Sequence, residues 1–265
     1  ISNSAFGAPA PHGTHFVLAL VQQLSLALAP PRVFVYTCGV CSANGIHAAA
    51  HGGVWGLARV VRLEHTAMRM LSIDVTHGTS SRAAMSSMHA SETEIVYRGT
   101  ARAAARLRAC RTVSTRSDSL ARSRYAISGG LGGLGLRAAR QLIIGGASGA
   151  LLASRSGRIG RDGQGLEAQL ELLDSAGTVV SGDSAESYDT IALLASHDIA
   201  GVLHTAGVVD KGLLIGLEPH RMQWLCAPKA SGSWHLSCAT AVSPLEVKLL
   251  FSSVGSGLGN VGQAN

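Results

Sequence analysis

Aromatic residues are scarce in this sequence, at 4% of 265 residues. That argues against a stacking platform for single-stranded nucleic acid, which needs exposed rings along a basic groove. Lysine is scarcer still: 3 lysines stand against 19 arginines. Charged residues of all kinds reach only 14%, while 46% of the chain is hydrophobic, so material for a substantial core is present. No run of 18 uninterrupted apolar residues exists to span a bilayer as a helix. The apolar stretch from Phe16 to Pro30 is short, contains Gln22 and Gln23, and lacks a basic flank, so it does not read as a secretion signal. The 5 cysteines, odd in number and irregularly spaced, give no disulfide framework. A reducing, cytoplasmic setting is expected, with no membrane partner.

Two features invite stronger readings. Eight arginines fall between Arg98 and Arg124. Charge alone does not identify a partner, and this Arg-, Ala- and Ser-rich segment is expected to be a solvated connector, with no nucleic acid bound. Cys38-x2-Cys41 is followed by His47-x3-His51. A zinc finger needs a longer gap between the pairs, for a hairpin and a helix. Only 5 residues separate Cys41 from His47, so no metal site is expected.

The informative stretch runs from Arg124 to Gly135, RYAISGGLGGLG. Tyr125 to Ser128 reads as a buried strand, 5 glycines follow within 7 residues, and an apolar helix pattern begins at Leu134. Gly130, Gly132 and Gly135 fit G-x-G-x-x-G; Gly129, Gly133 and Gly135 fit G-x-x-x-G-x-G, with Leu131 between them. Strand, glycine loop and helix form the context a dinucleotide site requires. Glycine lets pyrophosphate oxygens approach the backbone, and the helix N-terminus offers unpaired N–H groups. The next strand, Ala150 to Ser154, ends in Ser154-Arg155-Ser156-Gly157. An acidic residue about 20 positions past the glycines would bind the ribose hydroxyl of NAD. Arg155 stands there instead, and a guanidinium suits a 2′-phosphate. NADPH is the expected cofactor.

In chain order, helices are expected over 16–28, ended by Pro30-Pro31, and over 53–64 and 80–90. Strands are expected at 33–36, 70–75 and 94–97. This half reads as a Rossmann-like layer without a nucleotide site, because only Gly39 follows its first strand. A boundary is placed near 122, giving 1–122 and 123–265. The second half continues with a helix to Ile144, a helix at 164–175, a strand at 178–181, a helix at 186–196 and a strand at 199–204. Helices at 218–225 and 229–241, broken by Pro228, and a strand at 247–251 complete it. Asp183 is placed to bind an adenine amine or to cap the next helix, and Ser184 stands beside it. His204, Ala206 and Gly207 end the fourth strand, where small residues let a cofactor approach. Ser252 follows the fifth. The whole is α/β: a doubly wound parallel sheet, preceded by a truncated Rossmann-like subdomain.

The second half resembles the ketoreductase domain of modular polyketide synthases, within the short-chain dehydrogenase/reductase superfamily. The matching stretches are SGGLGGLGL (128–136), LLASRSG (151–157), GVLHTAGVVDKGLL (201–214), APKASGSWHL (227–236) and LLFSSVGSGLGNVGQAN (249–265). VWGLARVVRLEH (54–65), IDV (73–75) and EIVYRGTARAAARL (94–107) are similar to the structural subdomain that precedes it. The resemblance implies NADPH-dependent reduction of a β-ketoacyl chain carried by the phosphopantetheine of an acyl carrier protein, beside neighbouring synthase domains. It assigns Lys229 to the cofactor ribose and to lowering a tyrosine pKa, and Ser253 to the carbonyl oxygen. The family's tyrosine would follow Asn265, so the chain is expected to be a piece of a longer polypeptide, inactive by itself, with an exposed sheet edge. Lys211, in Val209-Asp210-Lys211, stands where one stereochemical class has aspartate. The alternative is a silent, structural copy of the domain.

Overall fold

Val35, Ile73, Ile95 and Tyr97 are buried strand residues, and they mark the first of two sheets. In the computed structural model, which describes residues 8–41, 48–76, 91–110, 120, 122–160, 164–195 and 198–264 (side chains of 48–50 excepted), α1 (Pro11–Leu24) leads to β1 (Phe34–Cys38), α2 (Ala48–Glu64), β2 (Leu71–Val75), β3 (Glu94–Arg98) and β4 (Ala101–Ala103). The sheet order is β1-β2-β3-β4, parallel except for the antiparallel β3–β4 pair. All five residues of β2 are buried, as a central strand covered on both faces requires.

The N–H groups that follow β1 have an internal acceptor. Asp74, 1% exposed, accepts from Val40 N at 3.0 Å, Cys41 N at 2.9 Å and Thr37 Oγ1 at 2.8 Å. Trp55 Nε1 in turn donates to Thr37 Oγ1 at 3.0 Å. A carboxylate from β2 thus takes up backbone donors at the place where a dinucleotide fold presents them to phosphate.

The second sheet comprises β5 (Arg124–Ser128), β6 (Gly149–Ser154), β7 (Gly177–Ser181), β8 (Ile199–His204) and β9 (Val247–Leu250). Its order is β7-β6-β5-β8-β9, with every pair parallel. Side chains alternate across it with period two. Tyr125, Ile127, Ala150 and Leu152 join Leu136 and Ala139 of α3 (Gly133–Ile144) and Leu166 of α4 (Leu166–Glu171). Ala126, Leu151, Ala153 and Val202 pack with Leu193 of α5 (Ser187–Ala195). Burying each Leu or Ile fully contributes about 1.5–3 kcal/mol. Then come α6 (Pro219–Cys226), a π-helical turn (Ala227–Ser231), α7 (Gly232–Ala239) and, after β9, α8 (Val254–Leu258).

By their contacts the described residues form two compact units. The first holds those of 1–111, 210–223 and 253–265; the second holds those of 112–209 and 224–252.

Several elements differ from expectation. α1 begins at Pro11, whose fixed φ suits the first helical position, and it ends at Leu24, six residues before Pro30. Pro228 does not break the helical run; the wider π turn accommodates a residue without an N–H. The expected 164–175 helix ends at Glu171, with a 3-10 turn at Asp174–Ala176. β4 was not expected. The expected helix at 80–90 lies outside the described residues, as does His47.

Two glycines test this packing in opposite directions. A Cβ on Gly201 would fall 2.7 Å from the buried Tyr125 ring and 2.9 Å from Val247 O, whereas one on Gly56, inside α2, would meet nothing within 4 Å. Gly201→Ala is expected to destabilise the protein by about 1–3 kcal/mol. Gly56→Ala should stabilise it by about 0.5–1 kcal/mol. Urea denaturation of both variants measures the pair.

Candidate functional site

Strand order in the second sheet reverses beside β5: β6 and β7 lie on one side, β8 and β9 on the other. Such a switch point opens a crevice at the carboxyl ends of the strands. Ser128 ends β5 and His204 ends β8, and Ser128 Oγ lies 2.6 Å from His204 Nδ1. Thr205 Oγ1 donates to Ser128 O at 2.8 Å and to Gly129 O at 3.2 Å.

Three loop glycines are required by the protein's own backbone. Gly129 has φ +70, and a Cβ there would lie 2.7 Å from Ala206 Cα and N. A Cβ on Gly130 would meet Leu152 Cα at 2.6 Å, and one on Gly135 would meet Gly129 O at 2.6 Å. Gly132 precedes α3 as its N-cap. Gly133 differs, because its nearest neighbour would be Leu166 Cδ2 at 3.7 Å, an ordinary contact. No side chain caps α3, which leaves its first-turn N–H groups available to an anion. Leu131 is a core residue, 4% exposed, so it brings backbone rather than side chain to the loop; Leu134, in the first turn of α3, is exposed.

A pocket of about 140 Å³ lies in front of these strand ends. It is smaller than the roughly 300–1,000 Å³ of a whole small-molecule site, and suits one moiety of a larger ligand. Ser128, Gly129, Ser154, Arg155, Asp183, Ser184, Ala206 and Gly207 line it. Ser154 Oγ is buried without a hydrogen-bond partner, an orphan that a bound polar group would satisfy. Arg155 is exposed and, among the described residues, none forms an ion pair with it. Its carbonyl accepts from Ser181 Oγ at 3.1 Å.

Other expected residues are engaged locally. Ser156 is absent from the pocket lining; its Oγ donates to Arg158 O at 3.1 Å and accepts from Arg158 N at 3.3 Å. Asp183 Oδ1 accepts from Ala185 N at 2.9 Å, the turn-closing role open to aspartate here. Asp183 N donates to Asp189 Oδ2 at 2.8 Å. Asp189 also lines the pocket, and sequence reasoning did not single it out, since its place on α5 carries no motif.

The KR domain family matches residues 123–265. The chain belongs to this family. A second match, to the Rossmann fold domain of the polyketide synthase extender module SpnB, covers residues 3–107. The chain is similar to the polyketide synthase GfsA of Streptomyces halstedii, with 32% identity over 96% of this chain and 4% of that protein. It is also similar to the spectinabilin polyketide synthase system protein NorB of Streptomyces orinoci, with 40% identity over 52% of this chain and 7% of that one. The chain thus spans a small part of its curated relatives. Among solved structures, an A1-type ketoreductase superposes with a TM-score of 0.85 at 28% identity, covering 99% of this chain and 60% of that one. A C2-type ketoreductase from a modular polyketide synthase gives 0.82 at 29% identity, covering 97% and 58%.

In this KR chain Lys229 sits on the π turn, and its Cε lies 3.6 Å from where a Gly207 Cβ would stand. Burial lowers the Lys229 pKa; the negative charge of nearby Cys226 in its thiolate form would oppose the shift. Ser253 Oγ accepts from Gly255 N at 3.1 Å and so caps α8; the residue belongs to the first unit, whereas the pocket lined by Ser154 and Arg155 belongs to the second. Ser252 is exposed after β9. Among the described residues no group of His, Cys, Asp and Glu side chains is arranged to hold a metal, and no helix is long and apolar enough to cross a membrane.

His204 is 4% exposed, and its Nε2 is buried without a hydrogen-bond partner. Burial lowers its pKa; the backbone of Lys229 and Pro228 opposes the shift without reaching hydrogen-bonding geometry. Protons therefore bind the unfolded chain more tightly than the folded one. Stability held above the ordinary histidine pKa of about 6.5 should fall as pH drops below it, by at most about 1.4 kcal/mol per pH unit. His204→Asn should flatten that slope in urea denaturation at pH 5.5 and 7.5. Equal slopes would exclude His204 as the titrating group.

Proposed function

We propose that this chain is the NADPH-dependent part of a β-ketoacyl reductase acting within a cytoplasmic modular polyketide synthase. Its substrate is a β-ketoacyl thioester on an acyl carrier protein, and neighbouring synthase domains are its partners. The observation that carries the cofactor assignment is the shared pocket wall of orphaned Ser154 Oγ and Arg155, where a 2′-phosphate would satisfy both. The glycine loop and the α3 N-terminus would hold the pyrophosphate, and Asp183 and Ser184 stand at the adenine position. Bound NADPH supplies a hydride to the β-carbonyl carbon. The boundary near residue 122 belongs to the same proposal, supported by the two family matches on either side of it.

The chain's own residues prepare the rest. Lys229, with its stem over Gly207 and its pKa lowered by burial, is assigned to the ribose hydroxyls. Its cationic form favours a neighbouring anionic oxygen. The Ser253 hydroxyl accepts one N–H and keeps its own proton to donate, which suits an oxygen gaining negative charge. The proton itself comes from a tyrosine in this family. Tyr125 is buried and donates to Glu246 Oε2 at 2.7 Å, and Tyr188 is exposed on α5; neither is assigned that role. Assayed alone, residues 1–265 are proposed to bind cofactor without turnover.

Arg155→Asp tests the cofactor choice. Losing a charge-assisted contact and gaining repulsion should weaken NADPH binding by about 10- to 100-fold and leave NADH binding no weaker. Titration of dinucleotide fluorescence measures both. An unchanged preference for NADPH would overturn the assignment.

A further inference from the structure

One carboxylate of the first unit binds two distant stretches of backbone. Glu64, the last residue of α2, accepts from Leu214 N through Oε2 at 2.7 Å and from Gly262 N through Oε1 at 2.8 Å. The two stretches also meet each other: Gly212 N donates to Gly262 O at 3.0 Å, and Gly212 and Gln263 form a parallel bridge. Neighbouring side chains repeat the pattern. Gln22 Nε2 donates to Leu214 O and Leu217 O, each at 2.9 Å. Arg59, which also pairs with Glu94, donates to Ser256 O. Gly259, with φ +77, lies so close to α2 that a Cβ would stand 3.1 Å from the backbone of Arg59.

Each oxygen of Glu64 thus takes one N–H in a charge-assisted bond, stronger than its neutral counterpart. Lys211 to Leu213, which lead into Leu214, and Asn260 to Gln263, which flank and include Gly262, line an open cleft of about 550 Å³. Leu213 and Val261 carry exposed side chains there, an apolar rim suited to an acyl chain.

We propose that Glu64 is a positioning residue for the acyl substrate, fixing both walls of this cleft from the half of the chain that has no glycine loop. The inference rests on the ketoreductase reading. Its test uses hydrogen exchange by mass spectrometry together with two binding titrations of the chain, one with NADPH and one with a β-ketoacyl N-acetylcysteamine thioester. In Glu64→Ala, amides around 212–214 and 261–263 should exchange at least about tenfold faster. Thioester affinity should fall by a similar factor, while NADPH affinity stays within about twofold. Glu64→Gln keeps one acceptor, and should retain protection in only one of the two segments; it decides the matter if the alanine variant does not fold. Unchanged protection, or unchanged thioester affinity once protection is lost, would overturn the role of Glu64. A wild-type chain that binds neither thioester nor NADPH would instead overturn the ketoreductase reading, and the assignment of the cleft with it.

Discussion

The second unit is organised around a place where backbone touches backbone. The turn leaving β5 passes Ala206 on one side and Leu152 on the other, and at both contacts a single added carbon would lie under 3 Å from a main-chain atom. This close approach brings the ends of β5, β6 and β8 together and lets Ser128 and His204 join across the switch point. A glycine-rich sequence is usually explained by its ligand. Here Gly129, Gly130 and Gly135 are needed for the strands to meet at all, and the anion-ready helix terminus is a consequence of that meeting. Gly133 has no such duty inside the protein.

Burial then sets the chemistry of the pocket region. Burial disfavours the charged form of His204, whose Nδ1 hydrogen-bonds with Ser128 Oγ. Lys229 keeps only a partly hydrated ammonium, which makes its charge more available to a neighbouring oxygen than that of a fully solvated lysine. The first unit handles a similar geometry in another way. There Asp74 saturates Val40 and Cys41 from within, so the backbone donors after β1 are consumed by the fold.

Much of this was legible in the sequence because it is local. Strand, glycine loop and helix at 124–144 follow from alternation, glycine density and helical spacing, and Arg155 follows from counting along the chain. What escaped was set by tertiary contact. β4 has three exposed residues and no alternation, so only its pairing with β3 reveals it. Pro228 reads as a helix breaker until a π turn supplies the room. Asp189 and Glu64 act through backbone N–H groups that no spacing rule points to: that of Asp183, 6 residues away, and those of Leu214 and Gly262, 150 and 198 residues away. The cap formed by Ser253 was open to sequence reasoning, and the orphaned Ser154 hydroxyl was not, because burial decides it.

The interleaving of the first unit also bears on how the protein is made. Glu64 leaves the ribosome 150 residues before Leu214 and 198 residues before Gly262. At about 5–20 residues per second, its carboxylate waits roughly 10–40 s for its second partner. Over that interval the end of α2 must stay hydrated or be sheltered by other contacts. The last hydrogen bond to Glu64 therefore closes only after strands β5 to β9 have been translated.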